Sequence, residues 1–189
     1  FIYFLHNHKN PANIYIIFFN ITLFYLKKSG IFEQTKRNKI MLTVNFTLPA
    51  TGEKTFVLSE HLPCVVYFYP KDNTSGCTNE ALAFKEAYSE FQKLGVEVVG
   101  ISRDSIKSHE NFKAKFELPF PLLSDQDEIV CNQFDVIKLK KMYGKEVMGV
   151  ERSTFLLDKN GIITNQWRKI KVAGHVEQVL EAAQAQQTI

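Results

Sequence analysis

A chain of 189 residues, 45% hydrophobic and 23% charged, is long enough for one well-buried α/β domain and too short for two comfortable ones. Its net charge of +3 is unevenly placed: residues 1–40 hold six Lys or Arg against one acidic residue, which leaves 41–189 at −2 and gives no support to nucleic-acid binding. Three cysteines, at 64, 77 and 131, are too few and too scattered for a disulfide scaffold, no His/Cys cluster has metal-site spacing, and the count favours a reducing compartment, the cytoplasm.

Residues 1–40 differ in character from the rest of the chain. The segment 14–26 is rich in Phe, Ile, Tyr and Asn, and Met41 opens a different pattern, so 1–40 is expected to be an upstream leader, non-native or disordered, and 41–189 the folded domain. A membrane anchor is the functional alternative, but thirteen residues that include Asn20 and Thr22 fall short of the roughly 20 that span a bilayer. From Met41 onward strand and helix signals alternate. Residues 44–48 and 55–58 read as a hairpin turning at Ala50, Thr51 and Gly52. The continuous apolar run 64–69 has the character of a central strand covered on both faces. Phe84, Ala87, Tyr88, Phe91 and Leu94 then recur at helical spacing, with Gly95 as the C-terminal cap, and 96–101 is a second buried strand. A polar helix is predicted over 105–116, with Ile106 and Phe112 inward, then a short strand over 120–123 and a helix over 128–134. The pairs 154–158 and 162–169 flank a turn at Lys159, Asn160 and Gly161, and an amphipathic helix over 174–186 closes the chain.

The chemistry concentrates around Cys77, which comes after the buried run and stands at the predicted start of a helix. Backbone N–H groups and the positive helix end favour S⁻ over SH at such a place. Pro70, Thr74 and Cys77 match the Pro-x-x-x-Thr-x-x-Cys pattern of peroxiredoxins, and their wider context resembles the bacterioferritin comigratory protein, or peroxiredoxin Q, branch. The similarity continues through 98–104 (VVGISRD), 118–125 (LPFPLLSD), 152–158 (RSTFLLD) and 167–175 (WRKIKVAGH), and covers the chain from about residue 41 onward.

That resemblance implies a thioredoxin-like α/β fold, a central mixed sheet flanked by helices, and a thiol-dependent peroxidase that needs no cofactor, metal or haem. Cys77 is then the nucleophile that becomes a sulfenic acid. Thr74 offers a hydroxyl to the peroxide on one side and the sulfur on the other, Pro70 packs over the pocket, and backbone N–H groups near Gly76 and Cys77 form a cradle for developing charge. Arg152 corresponds to the family's active-site arginine, on a strand beside the cysteine loop. Glu80 either caps the helix start or holds Arg152, and the cap is the preferred role. Tyr69 and Trp167 are expected to pack in the core.

The departures bear on mechanism. Ser75 stands where the branch commonly has Pro, and Leu82 stands five residues after Cys77, where many members carry a resolving cysteine; no cysteine occurs near the helix beginning at Ser105 either. Cys64 begins the strand leading to the site, so at about 3.3 Å per residue it belongs near the far end of the sheet. Cys131 is a weak resolving candidate whose default is packing, and a disulfide needs Cα atoms within about 7 Å. These departures favour a one-cysteine cycle, resolved by an external thiol, either thioredoxin or glutaredoxin with glutathione. The expected protein is a monomer or weak homodimer acting on hydrogen peroxide and organic hydroperoxides, without nucleic acid or membrane. A thiol oxidoreductase or hydrolase on the same fold, and a redox sensor or binding module, are the alternatives. His6, His8, His61, His109 and His175 are expected at the surface or at helix ends.

Overall fold

The structure is a computed structural model, and it describes residues 43–142 and 145–187. The expected leader, 1–40, lies outside these residues. A hairpin of β1 (Thr47–Ala50) and β2 (Lys54–Val57) opens the domain, followed by β3 (Cys64–Phe68), α1 (Ser75–Lys93), β4 (Glu97–Ser102), α2 (Ile106–Phe116), β5 (Leu122–Ser124) and the short α3 (Ile129–Gln133). A second hairpin, β6 (Ile137–Met142) and β7 (Lys145–Val150), precedes β8 (Ser153–Leu157), β9 (Ile163–Arg168) and α4 (His175–Gln186). Seven strands form one mixed sheet in the order β2-β1-β5-β4-β3-β8-β9. β3 lies at its heart, parallel to β4 and antiparallel to β8.

Every residue of β3 is buried, and alternation divides them between two cores. Cys64, Val66 and Phe68 join Val99, Ile101, Phe155 and Leu157 on one face, where α3 and the first hairpin cover them. Val65 and Tyr67 face the other side with Val98, Leu122 and Leu156, beneath Phe84 and Phe91 of α1, Phe112 of α2 and Val176 of α4. A strand buried on both sides has no polar positions to alternate, which is why it reads as an unbroken apolar run. This is the thioredoxin-like α/β arrangement that the resemblance implies.

Helix ends reflect local chemistry. Ser105 caps α2, its Oγ accepting from the Ser108 N–H at 3.3 Å. After α1 the chain turns through Gly95 at φ +64°, a conformation that costs a glycine little.

One element was not foreseen, and the expectations for His109 and Ile106 are corrected. Residues 137–142 and 145–150 form a separate two-stranded sheet with no counterpart in the sequence reading, because lysines interrupt any apolar run there; Leu139 and Met148, paired across its strands, are 60% and 54% exposed. His109 is buried within α2, neither at the surface nor at a helix end. On α2 it is His109 that is enclosed with Phe112, whereas Ile106 is half-buried. His175 begins α4, a helix end as expected, and is buried there with its Nε2 2.8 Å from the Thr154 hydroxyl. Burial, reinforced by the charge of Arg152, pulls this imidazole down to about 4. Trp167 is partly buried and sets its ring edge-on to His175, with centroids 5.9 Å apart. Among the described residues, no helix is long and apolar enough to cross a membrane.

Two outcomes test this packing. A Cβ added at Gly100 would lie 2.6 Å from Cζ and Oη of Tyr67 and 2.9 Å from Leu122 Cδ2, so Gly100→Ala is expected to lower the free energy of urea unfolding by about 1–3 kcal/mol. His175 has a folded pKa below its unfolded one, so the stability it contributes is complete above about pH 6.5 and is lost as pH falls towards about 4. Thermal melts of wild type and His175→Gln should show the difference between the two proteins changing across that window, and a constant difference would refute the assignment.

Candidate active site

At the end of β3 the chain leaves the sheet at half-buried Pro70, crosses a short loop and enters α1. Asn73 takes the left-handed conformation at φ +56°, and Thr74 then occupies the N-cap position with extended backbone. The Thr74 carbonyl accepts the first helical bond, from the Thr78 N–H at 2.9 Å. Its hydroxyl donates to the Lys71 carbonyl at 3.0 Å, so it braces the loop rather than capping the helix. Cys77 is the third residue of α1, at the helix start where the sequence pattern puts it, and its side chain is 1% exposed.

Arg152 reaches this cysteine through strand pairing. Ser153, the first residue of β8, is the antiparallel partner of Phe68, the last residue of β3, so the residue before β8 stands beside the point where the cysteine loop departs. The arginine is therefore one position outside the strand on which it was expected. Its Nη2 donates to Cys77 Sγ at 3.2 Å, and its Nη1 donates to Glu80 Oε2. Gly76 is explained by the same contact: a Cβ there would lie 3.3 Å from Nη2.

Glu80 corrects the preferred reading. It lies past the first turn of α1, fully buried, and holds Arg152 instead of capping the helix. Burial pushes its carboxyl up to about 7 against the pull of Arg152, and Oε1 has no partner among the described residues. Burial also works against the charge of Arg152, but Glu80 and then Cys77 outweigh it and hold the guanidinium above its ordinary value. The sulfur thus faces a fixed positive charge that is itself gripped from behind.

The other two cysteines are not brought to this site. Cys64 and Cys131 belong to the core on the opposite face of the sheet from Cys77, and all three are free. Burial, then Glu97, pushes the Cys64 thiol up; burial, then Asp125, does the same to Cys131. Neither is poised as a thiolate.

Two features went unread in the sequence. Lys140, on the second hairpin, donates to the Val150 carbonyl and lies in the electrostatic field of Glu151, Arg152 and Cys77. Asp72, Tyr69 and His109 form a buried polar cluster beneath the cysteine loop. An aspartate two residues after Pro70, together with a Ser-His pair on the polar helix, is the signal that could have pointed to it.

Comparison with known proteins agrees with this geometry. The AhpC/TSA family matches residues 42–166. Peroxiredoxin Bcp of Xanthomonas campestris pv. campestris is 58% identical over 145 residues, covering 76% of this chain and 91% of the relative. Peroxiredoxin Bcp of Bacillus subtilis is 50% identical over 117 residues, covering 62% and 74%. Among solved structures, the bacterioferritin comigratory protein of Xanthomonas campestris superposes with a TM-score of 0.72 at 51% identity, covering 75% of this chain and 92% of that one. A mutant of Xylella fastidiosa PrxQ gives 0.74 at 44%, covering 78% and 96%. With a buried cysteine at a helix start, an arginine fork on its sulfur and relatives of this closeness, the chain belongs to the AhpC/TSA family and, within it, to the Bcp/peroxiredoxin Q branch of the peroxiredoxins, enzymes with thiol peroxidase activity.

Proposed function

We propose that Cys77 is the thiol that reduces the peroxide and that it works by a one-cysteine cycle. The observation that carries this reading is the Arg152 fork, one arm on Cys77 Sγ at 3.2 Å and the other on buried Glu80. A positive charge held at hydrogen-bond distance stabilises negative charge on sulfur without having to reorganise during the reaction. The Cys77 thiolate attacks one oxygen of ROOH; an S–O bond forms, the O–O bond breaks, and RO⁻ leaves and takes up a proton as alcohol or water. The peroxide is reduced by two electrons and the sulfur oxidised to a sulfenic acid. Backbone N–H groups of the first turn of α1, which have no partners within the helix, supply donors for the developing charge, and the lone pairs of the Thr74 hydroxyl can receive the peroxide proton. Half-buried Pro70 limits water at this edge.

Resolution falls to an external thiol. It attacks the sulfenic sulfur, water leaves, and a mixed disulfide forms that a second thiol reduces, restoring Cys77. The placement of Cys64 and Cys131 across the sheet supports this assignment. A thioredoxin, or a glutaredoxin with glutathione, in a reducing cytoplasm fits the chemistry. The substrates we assign are hydrogen peroxide and small organic hydroperoxides; the solved Xanthomonas campestris relative was studied for its alkyl peroxide reduction activity.

Stopped-flow oxidation of the reduced full chain by hydrogen peroxide, with mass detection of the product, tests the proposal. Wild type is expected to form a sulfenic acid rapidly and Cys77→Ser to be inert; oxidation no faster than that of a free thiol would overturn the reading. Arg152→Ala should slow oxidation by about 100-fold or more, with Arg152→Lys in between because a single ammonium cannot grip Glu80 and Sγ together. Cys131→Ser should leave both rate and product unchanged, whereas a Cys77–Cys131 disulfide in wild type would refute the one-cysteine cycle.

A further inference from the structure

We propose that a buried ion pair, Asp72 with His109, is a positioning device for Cys77, fixing by its charge the loop that delivers the thiol to Arg152. The inference rests on the peroxide-reducing role proposed for Cys77.

The charge follows from counting protons. His109 is 0% exposed and Asp72 5%. His109 Nδ1 stands 2.9 Å from Asp72 Oδ2 and 3.1 Å from Oδ1, and its Nε2 stands 3.2 Å from the Leu123 carbonyl. Tyr69 Oη, 2.7 Å from Oδ1, spends its only proton on Asp72, and the Ser108 hydroxyl donates to Oδ2, also at 2.7 Å. The Tyr69 oxygen, 3.3 Å from Nδ1, is therefore an acceptor towards the ring. Both ring nitrogens face only acceptors, so the ring that satisfies them carries a proton on each and is an imidazolium. Its counter-ion is the Asp72 carboxylate. Burial opposes that charge, and the bonds from His109, Ser108 and Tyr69 outweigh it, holding the carboxyl below its usual range.

The pair is placed to act on Cys77. Asp72 lies midway between Pro70 and Thr74, and its own N–H donates to Asp104 Oδ2 at 2.9 Å, an oxygen that also receives the Ser102 hydroxyl at 2.8 Å. The loop is thus fastened to α2 through a side chain and to the β4–α2 turn through its backbone. From Asp72 only Asn73 and Thr74 intervene before α1 begins, with Cys77 in its first turn. Arg152 is anchored separately, at the head of β8, so the 3.2 Å contact with sulfur persists only while the loop holds its place. A displacement of about 1 Å at a reacting group can cost about 100-fold in rate. Removing one member of a buried pair leaves the other charge uncompensated, whereas replacing both by neutral groups of similar shape does not.

The test is a double-mutant cycle on the full chain, with Asp72→Asn, His109→Gln and both together, alongside wild type and Cys77→Ser. Stopped-flow oxidation by hydrogen peroxide is measured at temperatures where circular dichroism shows each variant folded. Each single substitution is expected to slow oxidation about tenfold or more, and the neutral pair to return to within about threefold of wild type. Single variants that melt earlier yet oxidise at the wild-type rate would mean that the pair only stabilises the fold. A double variant as slow as the singles would overturn the role of charge. Should the singles not fold, Tyr69→Phe and Ser108→Ala each remove one bond to Asp72; oxidation slowed a few-fold with the fold intact supports the proposal, and unchanged rates refute it. Wild type no faster than Cys77→Ser would overturn the role of Cys77 itself, and the positioning role with it.

Discussion

A planar guanidinium with two arms can touch a sulfur and a carboxylate at once only if both lie within reach of its fork, and much of this structure depends on that constraint. Cys77 and Glu80, three positions apart on α1, present their side chains to a common point. Arg152 reaches that point because β8 runs antiparallel to β3 and begins where β3 ends. Gly76 leaves the opening through which the fork passes. Cys77, the guanidinium that touches it and the carboxyl that holds that guanidinium are therefore supplied by one helix and the end of one strand pair, both clamped by the central sheet.

Two buried carboxylates near the loop show how partners decide the fate of a charge. Glu80 receives Arg152 on one oxygen and nothing among the described residues on the other, and burial lifts it to about 7. Asp72 receives Tyr69 on one oxygen, Ser108 on the other and the His109 ring against both, and stays below the usual carboxylate range. Burial is adverse in both cases; at Asp72 the bonds and charge of its partners outweigh it, and at Glu80 the single partner Arg152 does not. The neighbourhood of Cys77 thus holds one carboxylate that is fully satisfied and one that is only half satisfied.

What could be read from the sequence was whatever local pattern specifies. The central strands announced themselves as apolar runs, the helix after Cys77 by its spacing, and the hairpin of β8 and β9 by its Lys159-Asn160-Gly161 turn. The motif residues Pro70, Thr74, Gly76 and Cys77 fell on the loop and first turn where their spacing placed them. The role of Glu80 was misjudged because its partner is 72 positions away and meets it only through strand pairing. His109 was misplaced for a related reason: a polar residue is enclosed when its hydrogen-bond partners are, and those partners come from other elements. The hairpin of β6 and β7 escaped notice because cross-strand pairing, not an apolar face, organises it.

The division of cysteines between the two faces of the sheet has a practical side. Cys64 and Cys131 share one core with residues from six strands of the central sheet, while Cys77 stands in the first turn of a helix on the other face. A thiol reagent reaches the first two only when that shared core opens, but needs no more than a local movement of the loop and first turn to reach the third. The chain carries within itself two kinds of chemical clock, one that keeps time with the loop and first turn of α1 and one that keeps time with the whole fold.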